Sequence, residues 1–125
     1  MPNVLIVDDS LMMRKFISMA LAPDGYQLQE AAGGKEAIEM VSTEPPDCMV
    51  LDLLMPDMVG TEVLETLKKD QNVHFPIIIM TADIQETTEA ACMELGAFRV
   101  LTKPPKGNEL SLAIREAMAE SVDPV

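Results

Sequence analysis

Five polar residues of this 125-residue chain stand where short apolar runs stop. Asp8 and Asp9 follow Val4-Leu5-Ile6-Val7, Asp52 follows Cys48-Met49-Val50-Leu51, Thr81 follows Ile77-Ile78-Ile79-Met80, and Lys103 follows Phe98-Arg99-Val100-Leu101-Thr102. Three carboxylates around one crevice repel one another unless something neutralises them. A hard divalent cation with oxygen ligands answers that need, and Mg²⁺ suits carboxylates plus water. A lysine and a hydroxyl beside such an ion suit a tetrahedral anion, the ammonium pairing with one oxygen and the hydroxyl donating to another. A carboxylate in that setting can attack phosphorus and form an aspartyl phosphate, while metal and lysine offset the charge on the transferring group. Acidic residues at strand ends are common because those loops are solvated. The signal is the combination: five positions, remote in sequence, with complementary chemistry.

Those residues can meet only if the apolar runs are neighbouring strands that end on one edge. The chain reads as five βα units in a row. Strands are expected at 4–7, 26–31, 48–51, 77–80 and 98–102, with Leu28 the core residue of the second. Helical period follows each one. Residues 11–21 carry a stripe of Met12/Met13, Phe16/Ile17 and Ala20/Leu21. The second helix opens at Gly33-Gly34, carries Ala37, Ile38 and Val41, and stops before Pro45-Pro46. The third follows Gly60 with Val63, Leu64 and Leu67. The fourth is expected to start from a capping box of Asp83 and Glu86 and to end near Gly96 in a left-handed cap. The fifth shows Leu110, Ala113/Ile114 and Ala117/Met118. Several strands are apolar on both faces, as a parallel sheet covered by helices requires. Right-handed crossovers then give a doubly wound α/β fold, whose ligands bind at the carboxyl edge of the strands. No break in composition divides the chain, so residues 1–125 are read as one domain, with 121–125 a flexible tail.

Composition excludes several classes. Nine Lys and Arg against 21 Asp and Glu leave a formal charge of −12, unsuited to nucleic acid or an anionic membrane. Three Phe, one Tyr and no Trp against eleven Met indicate an aliphatic, thioether-filled core without base-stacking platforms. No leader pattern opens the chain and no run approaches the roughly 18 apolar residues of a membrane span, so a cytoplasmic location is expected. Cys48 and Cys92 read as reduced packing thiols. Gly33-Gly34-Lys35 is not a phosphate-binding loop, since Glu36 stands where Ser or Thr is required. His74 lacks a metal-spacing partner and reads as a surface residue. Asp24, Asp57 and Asp70 read as turn, cap or surface carboxylates, and Met12/Met13 and Met55/Met58 as core and loop packing.

Over residues 3 to 120 the chain resembles the receiver domains of two-component response regulators. The resemblance rests on Val4-Leu5-Ile6-Val7-Asp8-Asp9-Ser10, Val50-Leu51-Asp52, Met55-Pro56 before Gly60, Thr81-Ala82, Gly96-Ala97 and Lys103-Pro104. It implies a flavodoxin-like five-stranded parallel sheet of order 2-1-3-4-5 with helices on both faces. It implies that Asp52 is the phosphoacceptor and that Asp8, Asp9, Asp52 and the backbone carbonyl of Leu54 hold Mg²⁺. Lys103 would pair with the phosphoryl group, and Thr81 would reorient toward it. Ala82 would keep the approach open, and the Lys103–Pro104 bond would be cis. The donor would be a phosphohistidine on a sensor histidine kinase or phosphotransfer protein. The output would be altered binding of a downstream protein through the fourth helix, fifth strand and fifth helix, about 84–119, by a monomer or a phosphorylation-dependent dimer. The chain would not be an enzyme beyond its own phosphoryl transfer and autodephosphorylation.

The chain departs from the family in places. Val100 stands where an aromatic residue usually swings inward behind the moving threonine, and a short β-branched side chain cannot sweep that volume. Pro105 doubles the proline after Lys103 and stiffens the loop. Val59 replaces the Asp often found before Gly60. Leu54 and Asp83 occupy positions tied to phosphoryl lifetime and act in opposite directions, Leu54 by shielding and Asp83 by recruiting water. Two other functions are compatible with parts of this pattern. A phosphorylation-independent interaction module is raised by Val100. An aspartate-nucleophile phosphohydrolase is disfavoured because Leu54 stands where dehalogenase-type enzymes place a proton-transferring Asp.

Overall fold

The computed structural model describes residues 2–70, 73–82, 85–106 and 108–121. Five strands, β1 (Asn3–Val7), β2 (Gln27–Ala31), β3 (Cys48–Asp52), β4 (Ile77–Thr81) and β5 (Arg99–Thr102), pair in parallel in the order β2-β1-β3-β4-β5. Five helices alternate with them: α1 (Leu11–Leu21), α2 (Gly34–Thr43), α3 (Gly60–Glu65), α4 (Glu86–Glu94) and α5 (Glu109–Ser121). Helix α3 runs on into a π-helical turn at Thr66–Asp70, and α1 into a 3₁₀ turn at Ala22–Asp24.

Side chains alternate across a strand, so each central strand feeds two cores. Leu5, Val7, Met49, Leu51, Ile77 and Ile79 face α2, α3 and α4, where they meet Ala37, Val41, Val63, Leu64, Leu67 and Cys92. Val4, Ile6, Cys48, Val50, Ile78 and Met80 face α1 and α5, where they meet Ile17, Leu21, Leu110, Ala113, Ile114 and Ala117. Every residue of β1, β3 and β4 is buried, which explains why these runs lack polar alternation. Both cysteines are buried free thiols. Among the described residues no helix is long and apolar enough to cross a membrane.

Several local expectations are corrected. On α1 the buried stripe is Met13, Ile17 and Leu21, while Met12 and Phe16 are exposed, because adjacent residues sit about 100° apart and only one of each pair can face the sheet. Strand β2 begins after Tyr26 and β5 after Phe98, and both rings pack from outside the ladder onto the core shared with α1 and α5. Leu28 packs there half-buried, and the fully buried residue of β2 is Ala31. Gln85, not Asp83, stands at the N-cap of α4, its carbonyl accepting from the N–H groups of Thr88 and Glu89. Glu86 is therefore the first helical residue, too early for its expected place in a capping box. Asp83 lies outside the described residues, as does 122–125 of the expected tail. Gly96 takes a φ of +105° just past α4, as a left-handed cap requires.

Candidate functional site

The sheet order sets β1, β3, β4 and β5 side by side, so their polar ends share one edge. Asp8 is 1% and Asp52 3% exposed, and Thr81 is buried one residue past Met80, the register partner of Asp52. Asp9 is exposed. The Lys103 ammonium lies 2.9 Å from Asp8 Oδ2 and 3.2 Å from Asp52 Oδ2. One oxygen from each of Asp8, Asp9 and Asp52 can be chosen so that all three lie within 4.8 Å of one another. Three of the four strands also contribute backbone to the edge: the Lys103 N–H donates to the Thr81 carbonyl at 2.8 Å, and the Leu53 N–H to the Met80 carbonyl at 3.2 Å.

Local hydrogen bonds hold Asp8 and, more loosely, Asp52. The Ser10 N–H donates to Asp8 Oδ1 at 2.8 Å, while the Ser10 hydroxyl caps α1 by accepting from Met13 N–H at 3.2 Å. Arg14 donates to the Asp8 carbonyl at 2.6 Å and to Glu30 Oε1 at 2.9 Å, and Lys15 joins Glu30 at 3.2 Å. Asp52 Oδ1 accepts a long contact, 3.4 Å, from Leu54 N–H. The Lys103–Pro104 bond is cis, as the resemblance implies.

The pocket is electrostatically unbalanced, with three carboxylates facing one ammonium. Burial, followed by the negative charge of Asp8, pushes the Asp52 carboxyl above its ordinary range, against the pull of Lys103 and the Leu54 N–H. Burial also works against the charged Lys103, but its contacts with Asp8 and Asp52 outweigh this and hold its pKa above the ordinary lysine value. Asp8 Oδ2 and Asp52 Oδ2 are buried without a well-directed hydrogen bond. Buried carboxylate oxygens of this kind, in an all-oxygen cluster, fit a hard divalent cation.

The β3–α3 loop forms one wall of the pocket. The Gly60 N–H donates to the Leu53 carbonyl at 2.6 Å, and a Cβ on Gly60 would lie 2.6 Å from Leu53 Cα and 2.7 Å from the Asp52 carbonyl oxygen. Gly60→Ala is therefore expected to destabilise the fold by about 1–3 kcal/mol through backbone displacement, measurable by urea unfolding. At the loop's tip Asp57 accepts from the Gly34 and Lys35 N–H groups. These donors hold its carboxyl below the ordinary range, against a weaker burial effect. Leu54 is 63% exposed and Ala82 is exposed. Val100 is half-buried against the core and lines a groove of about 580 Å³ between α4 and β5, with Met93 and Phe98. The sequence pattern does not single out Arg14 or Glu30, and Asp57, grouped there with turn, cap or surface carboxylates, proves to be a cap, on α2.

The family model of the response regulator receiver domain matches residues 4–115. The chain belongs to this family. The receiver is 33% identical over 119 residues to the alkaline phosphatase synthesis transcriptional regulatory protein PhoP of Bacillus subtilis, covering 95% of this chain and 49% of that protein. It is 39% identical over 114 residues to a protein-glutamate methylesterase/protein-glutamine glutaminase of Treponema denticola, covering 88% of this chain and 30% of that one. The receiver spans about half the length of the transcriptional regulators it matches, or less in the methylesterase. Among solved structures it matches a Francisella response-regulator receiver domain with a TM-score of 0.90 and 29% identity, covering 97% of this chain and 99% of that one. The Vibrio cholerae chemotaxis protein CheY4 matches with a TM-score of 0.86 and 29% identity, covering 94% and 98%.

Proposed function

We propose that this receiver is a switch driven by phosphorylation of Asp52. The observation that carries the reading is the position of the Asp52 carboxylate, buried at a strand end, 3.2 Å from Lys103 Nζ and within one cluster with Asp8 and Asp9. An Asp52 oxygen attacks the phosphorus of a phosphohistidine on a sensor kinase or phosphotransfer protein. The O–P bond forms as the P–N bond breaks, and the electron pair leaves on the donor imidazole. The Lys103 ammonium pairs with a phosphoryl oxygen, and the Thr81 hydroxyl turns to donate to another. Asp8, Asp9, Asp52 and the Leu54 carbonyl would hold Mg²⁺, which when bound neutralises the charge that builds on the transferring group. Water attack at phosphorus breaks the aspartyl O–P bond, releases inorganic phosphate and returns Asp52 to the carboxylate, with the Leu54 side chain restricting access. New contacts to the phosphoryl group shift a two-state equilibrium, read out by a downstream protein on the face of α4, β5 and α5.

Acetyl phosphate is expected to add one phosphoryl group per chain in Mg²⁺ and almost none after chelation, as read by intact mass. Asp52→Asn should add none. Labelling that persists in Asp52→Asn overturns the site assignment.

A further inference from the structure

The Gly33-Gly34 pair at the start of α2 lies outside the acidic pocket, yet both glycines touch the loop that walls it. A Cβ on Gly33 would lie 2.8 and 2.9 Å from the Asp57 carboxylate oxygens. A Cβ on Gly34 would lie 2.7 Å from Val63 Cγ2 and 2.9 Å from Met58 Cβ. Bare backbone is thus the seat onto which the tip of loop 53–59 settles. Asp57 closes the contact: Oδ1 accepts from Gly34 N–H at 3.2 Å and Oδ2 from Lys35 N–H at 3.1 Å. Gly33 has no side chain to cap α2 itself. The cap comes instead from 23 residues away, a carboxylate on a helix N-terminus where charge and hydrogen bonding both favour it.

The other end of the loop is anchored where Gly60 N–H meets the Leu53 carbonyl. Leu54 lies between the two anchors, flanked by buried Leu53 and Met55, while its own side chain is exposed. Its backbone position is set by that packing together with the anchors. We propose that Asp57 is a positioning residue for the divalent-cation site: its clasp on α2 holds loop 53–59 so that the Leu54 carbonyl is presented to Mg²⁺. The inference rests on the function proposed above.

The test uses the whole chain and Mg²⁺ itself, titrated by calorimetry, with amide hydrogen exchange of Gly34 and Lys35 in the metal-free protein. Asp57→Ala should weaken Mg²⁺ binding about tenfold, the scale on which outer partners of a metal site act. It should also deprotect both amides. The Mg²⁺ concentration giving half-maximal acetyl phosphate labelling should rise by a similar factor, and saturating Mg²⁺ should restore the rate. Asp57→Asn keeps one acceptor and should fall between, and it carries the comparison if Asp57→Ala does not fold. Val41→Ala, which thins the packing of α2 about two turns beyond Gly34, should lower the melting temperature without changing Mg²⁺ affinity. Wild-type affinity in the Asp57 variants overturns the proposal, as does an equal loss in Val41→Ala. A wild-type chain that binds no Mg²⁺ overturns the function itself, and this inference with it.

Discussion

Asp52→Asn is expected to melt at a higher temperature than the wild-type receiver when no divalent cation is present. The Asp52 carboxylate is buried against Asp8 and shares one ammonium with it, so its charge is held at a cost. Its raised pKa expresses the same imbalance. A carboxyl whose folded pKa lies above the unfolded value contributes stability that is present below the unfolded pKa and lost as pH rises through the folded one. That stability falls as pH rises through the folded value, and a neutral isostere avoids the loss. Relieving one incompletely paired buried charge is worth about 1–3 kcal/mol. For a domain of this size that corresponds to roughly 3–10 °C in Tm. Added Mg²⁺ should raise the wild-type Tm and leave Asp52→Asn nearly unchanged. Circular dichroism melts with and without Mg²⁺ decide it, and a variant that melts below the wild type in chelator would contradict the electrostatic account.

Lys103→Ala should have the opposite effect, and a larger one. Among the described residues the Lys103 ammonium is the cation that reaches both Asp8 and Asp52, and its removal leaves two buried carboxylates facing each other. Breaking a buried pair from one side costs about 3–5 kcal/mol, and partial exposure of the lysine places this case near the lower end. The pH dependence has a definite sign. Lys103 has a raised folded pKa, so its contribution is full at neutral pH and disappears only above the ordinary lysine range. The variant should therefore be much less stable than the wild type at pH 7. The gap should narrow as pH falls and one carboxylate takes a proton, and also when Mg²⁺ is added. Equal stability of the two proteins at pH 7 in chelator would contradict it.

The pocket was legible in the sequence because a parallel sheet converts a one-dimensional pattern into a place. Buried strands must be apolar, so the polar residue that ends each run marks the edge, and Asp8, Asp52 and Thr81 are those residues; Lys103 follows the partly exposed β5, which itself carries Arg99 and Thr102. What supports the pocket was not legible in that way. Arg14 looks like one more charge on an amphipathic helix until β2 brings Glu30 beside it. Asp57 looks like a loop carboxylate until the fold sets it over Gly34 and Lys35. A clue existed: α2 begins with two glycines and no capping side chain, and its N–H donors need an acceptor from elsewhere. The capping box at Asp83 and Glu86 misled because a backbone carbonyl, that of Gln85, starts α4 instead. The stripe on α1 is a residue narrower than the sequence suggests, since Met12 and Phe16 are sequence neighbours of Met13 and Ile17 but do not share their helix face.

The most direct measurement is to locate the phosphoryl group. After labelling with acetyl phosphate and Mg²⁺, borohydride reduces an aspartyl phosphate to the alcohol, releasing phosphate and leaving homoserine in the chain. Peptide mass mapping should find homoserine at position 52 and unmodified Asp8 and Asp9. Homoserine at either of those positions, or labelling on another residue, would contradict the assignment of Asp52 as the acceptor.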